Sequence, residues 1–145
     1  MPPAYGNECQ QLMLRAGHRA HALGHEYVGT EHLLLDMLDD GPGRIADLCR
    51  RYRVDPAALR ADILRILKPG GPALVGREVV PTPPAREVFE LAQAEAEALD
   101  ADEVRAEHLL LGMLRQGAGG TGVAGVVLSR HGLELGAVRE AVGRA

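Results

Sequence analysis

Two Glu-His pairs carry the most suggestive chemistry in this sequence, Glu31-His32 and Glu107-His108. Each opens an apolar run, Leu33-Leu34-Leu35 in the first case and Leu109-Leu110-Leu111 in the second. A glutamate in the first turn of a helix sits beside unpaired backbone N–H groups. Such a corner offers N–H donors to an anion and a carboxylate to a cation, so a ligand carrying both charges would suit it. The histidines are read as structural, with rings buried against a neighbouring helix. The spacing H-E-x-x-H is absent, so neither pair is a zincin site.

Other candidate chemistry is weaker. His18, His21 and His25 fall near one helical face at a spacing that can bind a metal. No carboxylate or thiol stands at a matching position nearby, so a solvated histidine face is the preferred reading and a metal protein the lesser alternative. Gly117-Ala118-Gly119-Gly120-Thr121-Gly122 matches G-x-G-x-x-G. A helical pattern precedes it where a dinucleotide fold needs a strand, so it reads as a connection between helices. Cys9 and Cys49 have no paired spacing and read as small buried thiols. No nucleophile-base constellation stands out. The expectation is a binding protein, not an enzyme, with no cofactor.

The elements that must position these residues come from a repeat. Glu31 to Leu38 and Glu107 to Leu114 lie 76 residues apart and differ only at Asp36 against Gly112. At that offset Leu12 matches Val88, Ala16 matches Ala92, Ala20 matches Ala96, Leu23 matches Leu99 and Val28 matches Val104. Past the glycine loop the offset becomes 79, with Gly43 on Gly122, Val54 on Leu133 and Arg60 on Arg139. One duplicated domain follows: repeat one at about 5–67, a linker at 68–80 and repeat two at about 81–143.

Helical periodicity and caps divide each repeat into four helices. They are expected at about 7–24, 30–39, 44–52 and 55–67, then 83–99, 106–116, 122–131 and 135–143. Thr30, Asp55 and Thr82 are the expected N-caps, with Pro56 at N1. Gly24 and the run Gly41-Pro42-Gly43 are stops, and Lys68-Pro69-Gly70-Gly71-Pro72 is a breaker cluster. Val79 to Pro84 is extended because each proline biases its predecessor away from helix. No stretch reads as a strand. The fold class is all-α, eight short helices in two pseudo-twofold four-helix repeats.

Composition bounds the partners. The 145 residues suit one domain with an aliphatic core, because hydrophobic residues reach 46% while aromatics are 3%. A net charge of −4 makes no electrostatic case for nucleic acid. No apolar run approaches the ~20 residues of a membrane span, and Met1-Pro2-Pro3-Ala4-Tyr5 does not read as a leader. A cytoplasmic protein is the default expectation.

The stretch Leu23-Gly24-His25-Glu26-Tyr27-Val28-Gly29-Thr30-Glu31-His32-Leu33-Leu34-Leu35 resembles the signature of the Clp N-terminal repeat domain, L-G-H-x-x-[IV]-G-T-E-H-[IL]-L-L-G-[LM]. The likeness covers essentially the whole chain, and the duplication makes it specific. It implies recognition: docking of protein substrates or adaptors onto an AAA+ Clp unfoldase, present in cis or in trans. In some members it also implies binding of phosphoarginine, and so of arginine-phosphorylated proteins, at two pseudo-equivalent sites. There the TEH glutamate pairs with the guanidinium and a threonine at the start of each repeat helps hold the phosphate. By that likeness the ligand-binding residues are Thr82, Glu107, Glu31 and Thr30, with Thr82 and Glu107 expected to share the better site. The departures are Gly6 for the first threonine, Pro84 for an arginine, Ala106 for the second TEH threonine and Asp100-Ala101 for the second G-H. A stand-alone accessory or decoy domain, sequestering Clp-directed ligands such as cyclic peptides, is the alternative.

Overall fold

The structure is a computed structural model describing residues 2–39 and 43–143. The same order of elements runs twice. The first pass is β1 (Ala4–Tyr5), α1 (Asn7–Ala22), β2 (Tyr27–Val28), α2 (Thr30–Asp39), α3 (Arg44–Arg51) and α4 (Pro56–Ile66). The second is β3 (Val80–Pro81), α5 (Pro83–Ala98), β4 (Glu103–Val104), α6 (Ala106–Ala118), α7 (Val123–Arg130) and α8 (Leu135–Gly143). The eight expected helices are present and the all-α class holds. The Gly41-Pro42 stop lies outside the described residues.

The caps explain most boundaries. Asp55 accepts the Ala57 N–H at 3.0 Å and Thr82 accepts the Ala85 N–H at 3.2 Å, each with proline following. Gly24 closes α1 at φ 78°. Asp100, its counterpart in repeat two, keeps the left-handed turn at φ 54°, which Asp tolerates better than most residues. Thr30 departs from expectation. It is the first residue of α2, and the His32 ring reaches back to accept the Gly29 N–H at 2.9 Å. His108 does the same for Arg105 N–H at 2.9 Å. Each histidine thus satisfies a helix-start donor that a capping-box Glu or Gln would otherwise take.

The repeated motif forms the centre. Leu33, Leu34, Leu35 and Met37 of α2 and Leu109, Leu110, Leu111, Met113 and Leu114 of α6 are buried. A helix apolar all round must be covered on every side. The approach is closest around α6. A Cβ on Gly112 would meet the Val88 carbonyl oxygen at 2.6 Å, and one on Gly125 would meet the Met113 carbonyl oxygen at 2.0 Å. That contact accounts for the one difference between the motif copies. Where α6 has Gly112, α2 has Asp36, which pairs with Arg15 at 3.1 Å.

A charged triad is repeated with its acid moved. In repeat one Asp39 lies between Arg19 at 2.8 Å and Arg60 at 2.6 Å. The equivalent positions in repeat two hold Glu95, Arg115 and Arg139, and now Glu95 is central, 3.2 Å from Arg115 and 2.7 Å from Arg139. Glu95 is buried and its partners are about half exposed. Glu95→Ala is expected to cost about 2 kcal/mol, because two charge-assisted contacts are lost while both arginines can rehydrate. Urea denaturation checks it; an unchanged midpoint would mean the triad holds nothing together.

The strands are a correction to the sequence reading. Two residues are too few for a period-2 pattern to register. Their pairing is crossed between repeats: β1 lies parallel to β4, with Ala4 on Glu103 and Tyr5 on Val104. Likewise β3 lies parallel to β2, with Val80 on Tyr27 and Pro81 on Val28.

Candidate functional site

The crossed strands decide which residues meet. Thr82 follows β3 and donates its backbone N–H to the Val28 carbonyl at 2.8 Å. Val28 leads through Gly29 and Thr30 into Glu31, so the start of α5 lies against the start of α2. Gly6 follows β1 and donates to the Val104 carbonyl at 3.0 Å. That sets the start of α1 against the start of α6, where Glu107 stands. Each corner therefore takes one piece from each repeat.

The expected partnership of Thr82 with Glu107 is not what the structure forms. Gln116, near the end of α6, donates to the Pro84 carbonyl at 2.8 Å, which places the end of α6 at the start of α5. Glu107 is nine residues back along α6, roughly 13 Å at 1.5 Å per residue. Thr82 belongs with Glu31.

At the corner of Thr82 and Glu31 the acid is only partly exposed. The Glu31 carboxylate folds back over the start of α2, touching the place a Gly29 side chain would take. Burial raises its pKa, while a hydrogen bond to its own backbone N–H and the nearby His25 work in the opposite direction. Among the described residues no arginine or lysine pairs with it; its nearest charged-type neighbour is His32 Nδ1 at 3.8 Å. The Thr82 hydroxyl oxygen accepts the capping bond, and its own hydrogen meets no acceptor among the described residues. Thr30, expected among the ligands, is buried with its hydroxyl oxygen accepting the Ala124 N–H at 3.1 Å, so it holds the start of α7 onto α2.

At the corner of Gly6 and Glu107 the acid is paired. Arg44, the first residue of α3, points its Nη1 at both Glu107 oxygens, 3.1 and 2.8 Å away. The pair borders a cavity of about 560 Å³ lined in part by Leu48, Arg51, Leu99, Ala101, Arg105 and Val142. Sequence reasoning missed Arg44. Only its position, matched to Val123 by the offset of 79, could have flagged it.

The histidine trio does not converge. His18 is exposed, as a solvated face requires, but His21 is buried. His25 is taken up by a chain of hydrogen bonds. Its Nδ1 lies 2.9 Å from His32 Nε2, and its Nε2 lies 2.7 Å from the Lys68 carbonyl. With the Gly29 N–H on His32 Nδ1, one proton arrangement satisfies all of these contacts. In it His32 Nε2–H donates to His25 Nδ1, and His25 Nε2–H donates to Lys68. Among the described residues no three His, Cys, Asp or Glu side chains gather as metal ligands. Cys9 and Cys49 are buried free thiols, pushed up by burial to about 12 and about 11, outside the range of reactive thiolates. Among the described residues no helix is long and apolar enough to cross a membrane. Gly119 to Gly122 simply joins α6 to α7.

Comparison with known proteins agrees with the fold. The sequence profile described as the Clp repeat (R) N-terminal domain matches residues 5–131 and 82–144. The chloroplastic chaperone protein ClpC of Pisum sativum is 36% identical over 124 residues, covering 86% of this chain and 13% of its own length. A ClpA homolog of Guillardia theta, named as an ATP-dependent Clp protease ATP-binding subunit, is 36% identical over 132 residues, 91% of this chain and 16% of its own. The chain therefore spans well under a quarter of these relatives. Among solved structures, the N-domain of ClpV from Vibrio cholerae superposes with a TM-score of 0.80 over 97% of this chain and 83% of that one, at 13% identity. With its doubled motif, its eight helices and this match along nearly all its length, the chain belongs to the Clp repeat N-terminal domain family.

Proposed function

We propose that this domain is a recognition module that delivers protein substrates or adaptors to a Clp-type AAA+ unfoldase, and that its Thr82–Glu31 corner reads phosphoarginine. The observation that carries the reading is the Glu31 carboxylate, poorly solvated and, among the described residues, paired with no arginine or lysine, set across the β2–β3 pair from Thr82. A guanidinium entering there would give that carboxylate the cation that burial makes it favour. A phosphoryl group beyond it would meet the Thr82 hydroxyl at the start of α5, where Pro83 and Pro84 carry no N–H and the Ala85 N–H is already taken by Thr82. The module does no chemistry of its own; bond breaking and ATP hydrolysis fall to the partner.

Calorimetric titration with free phosphoarginine tests this. The wild type is expected to bind one equivalent. Glu31→Ala is expected to weaken binding at least tenfold, since a charge-assisted pair is worth about 1.5–3 kcal/mol. Thr82→Ala should weaken it less. Absence of binding at millimolar ligand, or binding indifferent to Glu31→Ala, would remove phosphoarginine and leave protein docking alone.

A further inference from the structure

We infer that Arg44 and Glu103 hold the second of the two pseudo-equivalent corners shut, so the chain offers one open site instead of two. This rests on the guanidinium-phosphate reading above and concerns which corner can act on it.

The two corners are built on the same plan. β1 with Gly6 corresponds to β3 with Thr82, β4 to β2, Glu107 to Glu31, and the start of α3 to the start of α7. They differ in what fills them. On Glu107 lies the Arg44 guanidinium, which reaches both oxygens. The residue matched to Arg44 is Val123, and the bond from Ala124 N–H to Thr30 holds it at the same corner of the other site. The valine side chain has no donor, and among the described residues no guanidinium pairs with Glu31.

The anionic half is filled as well. A Cβ placed on Gly6 would lie 2.9 Å from Glu103 Cδ and 3.0 Å from each of its carboxylate oxygens. Glu103 thus occupies the space that a threonine side chain would need at the start of α1. Arg105 Nε, 3.3 Å from Glu103 Oε1, steadies it. The residue matched to Glu103 is Tyr27, which is exposed. The Glu107 corner therefore contains both charges of the ligand in corresponding places: a carboxylate where the phosphoryl group would sit, and a guanidinium on the receiving glutamate. An incoming phosphoryl group meets the like charge of Glu103, and an incoming guanidinium has to displace Arg44.

The test transplants the open corner onto the closed one. Gly6→Thr, Arg44→Val and Glu103→Tyr install the residues found at 82, 123 and 27. At Gly6 the φ of −66° accepts threonine. Phosphoarginine is titrated calorimetrically into the wild type, Arg44→Val and the triple variant, each with and without Glu31→Ala, with thermal melts to verify folding. The wild type should bind one equivalent and the triple variant two. With Glu31→Ala these become none and one, and adding Glu107→Ala to the triple variant removes the second. Arg44→Val alone should tighten binding at the Glu107 corner about tenfold if the pair is closed nine-tenths of the time.

A wild-type equivalent that survives Glu31→Ala and is lost in Glu107→Ala would overturn closure. So would a folded triple variant, and a folded Arg44→Val, with no added binding. A wild type that binds nothing beside a triple variant binding one equivalent through Glu107 would sink the Glu31 reading and uphold closure. Silence in every variant would end both.

Discussion

Lowering the pH from 7 to 4 is expected to remove about 3 kcal/mol of unfolding free energy through His32 alone. The ring is buried, and its pKa falls from 6.5 to about 4. Burial is the main cause, followed by the charges of His25 and Arg19. The hydrogen bonds act in the same sense, because a proton on Nδ1 would confront the Gly29 N–H that the ring now accepts. With the folded pKa below the unfolded one, the unfolded chain takes up the proton first. The contribution is complete above about pH 6.5, shrinks as pH falls and is gone near pH 4; about 2.5 units at 1.36 kcal/mol each sets its size. His108 is lowered too, again mainly by burial, and adds loss in the same direction although Glu107 opposes the shift. Glu31 works against them, since its raised pKa means that acid relieves the burial of its charge. His32→Gln separates these contributions: glutamine at N3 can still accept the Gly29 N–H but does not titrate. Urea unfolding at pH 7, 5.5 and 4 should show a steeper loss in the wild type than in the variant. Parallel losses would mean that His32 is not the acid-sensitive group.

Gly125→Ala is expected to destabilise by about 3 kcal/mol, equivalent to a fall in Tm of about 10 °C. The added Cβ would collide with the Met113 carbonyl oxygen and with the backbone of Gly117, 2.6 Å from its nitrogen. These are helix backbone atoms, so no rotamer change gives way; α7 would have to lift from α6 and strip cover from Leu110 and Met113. Position 46, which matches 125, is already alanine, so Ala46→Gly should cost only the glycine penalty of up to ~1 kcal/mol. Thermal melts of the two variants compare directly. Equal effects would mean that the close approach is relieved elsewhere.

The helices were legible from local signs: an apolar stripe, a capping Thr or Asp, a proline at N1 in some, a glycine at the end in others. The duplication supplied a second copy of every argument. The site was only half legible. Glu31, Glu107 and Thr82 could be picked out one by one, since a first-turn acid and a capping threonine are local features. Their pairing was not, because it depends on two-residue strands that cross between repeats, and strands that short leave no pattern. Arg44 stayed hidden for a related reason. Nothing local ties an arginine after a glycine turn to a glutamate 63 residues on. Thr30 misled because its type suits an N-cap, whereas the cap belongs to a histidine three residues into the helix.

The strand exchange bears on how such a chain could have arisen. A molecule with a single repeat would own the first half of one corner and the second half of another, and could complete either only by meeting a copy of itself head to head. Two such copies, related by a true twofold axis, would make two identical corners from four half-corners. Joining them through the segment from Lys68 to Val79 turns that encounter between molecules into a tethered one, present at any dilution. It also frees the two corners from having to match, and a substitution such as arginine at position 44 can then alter one without touching the other.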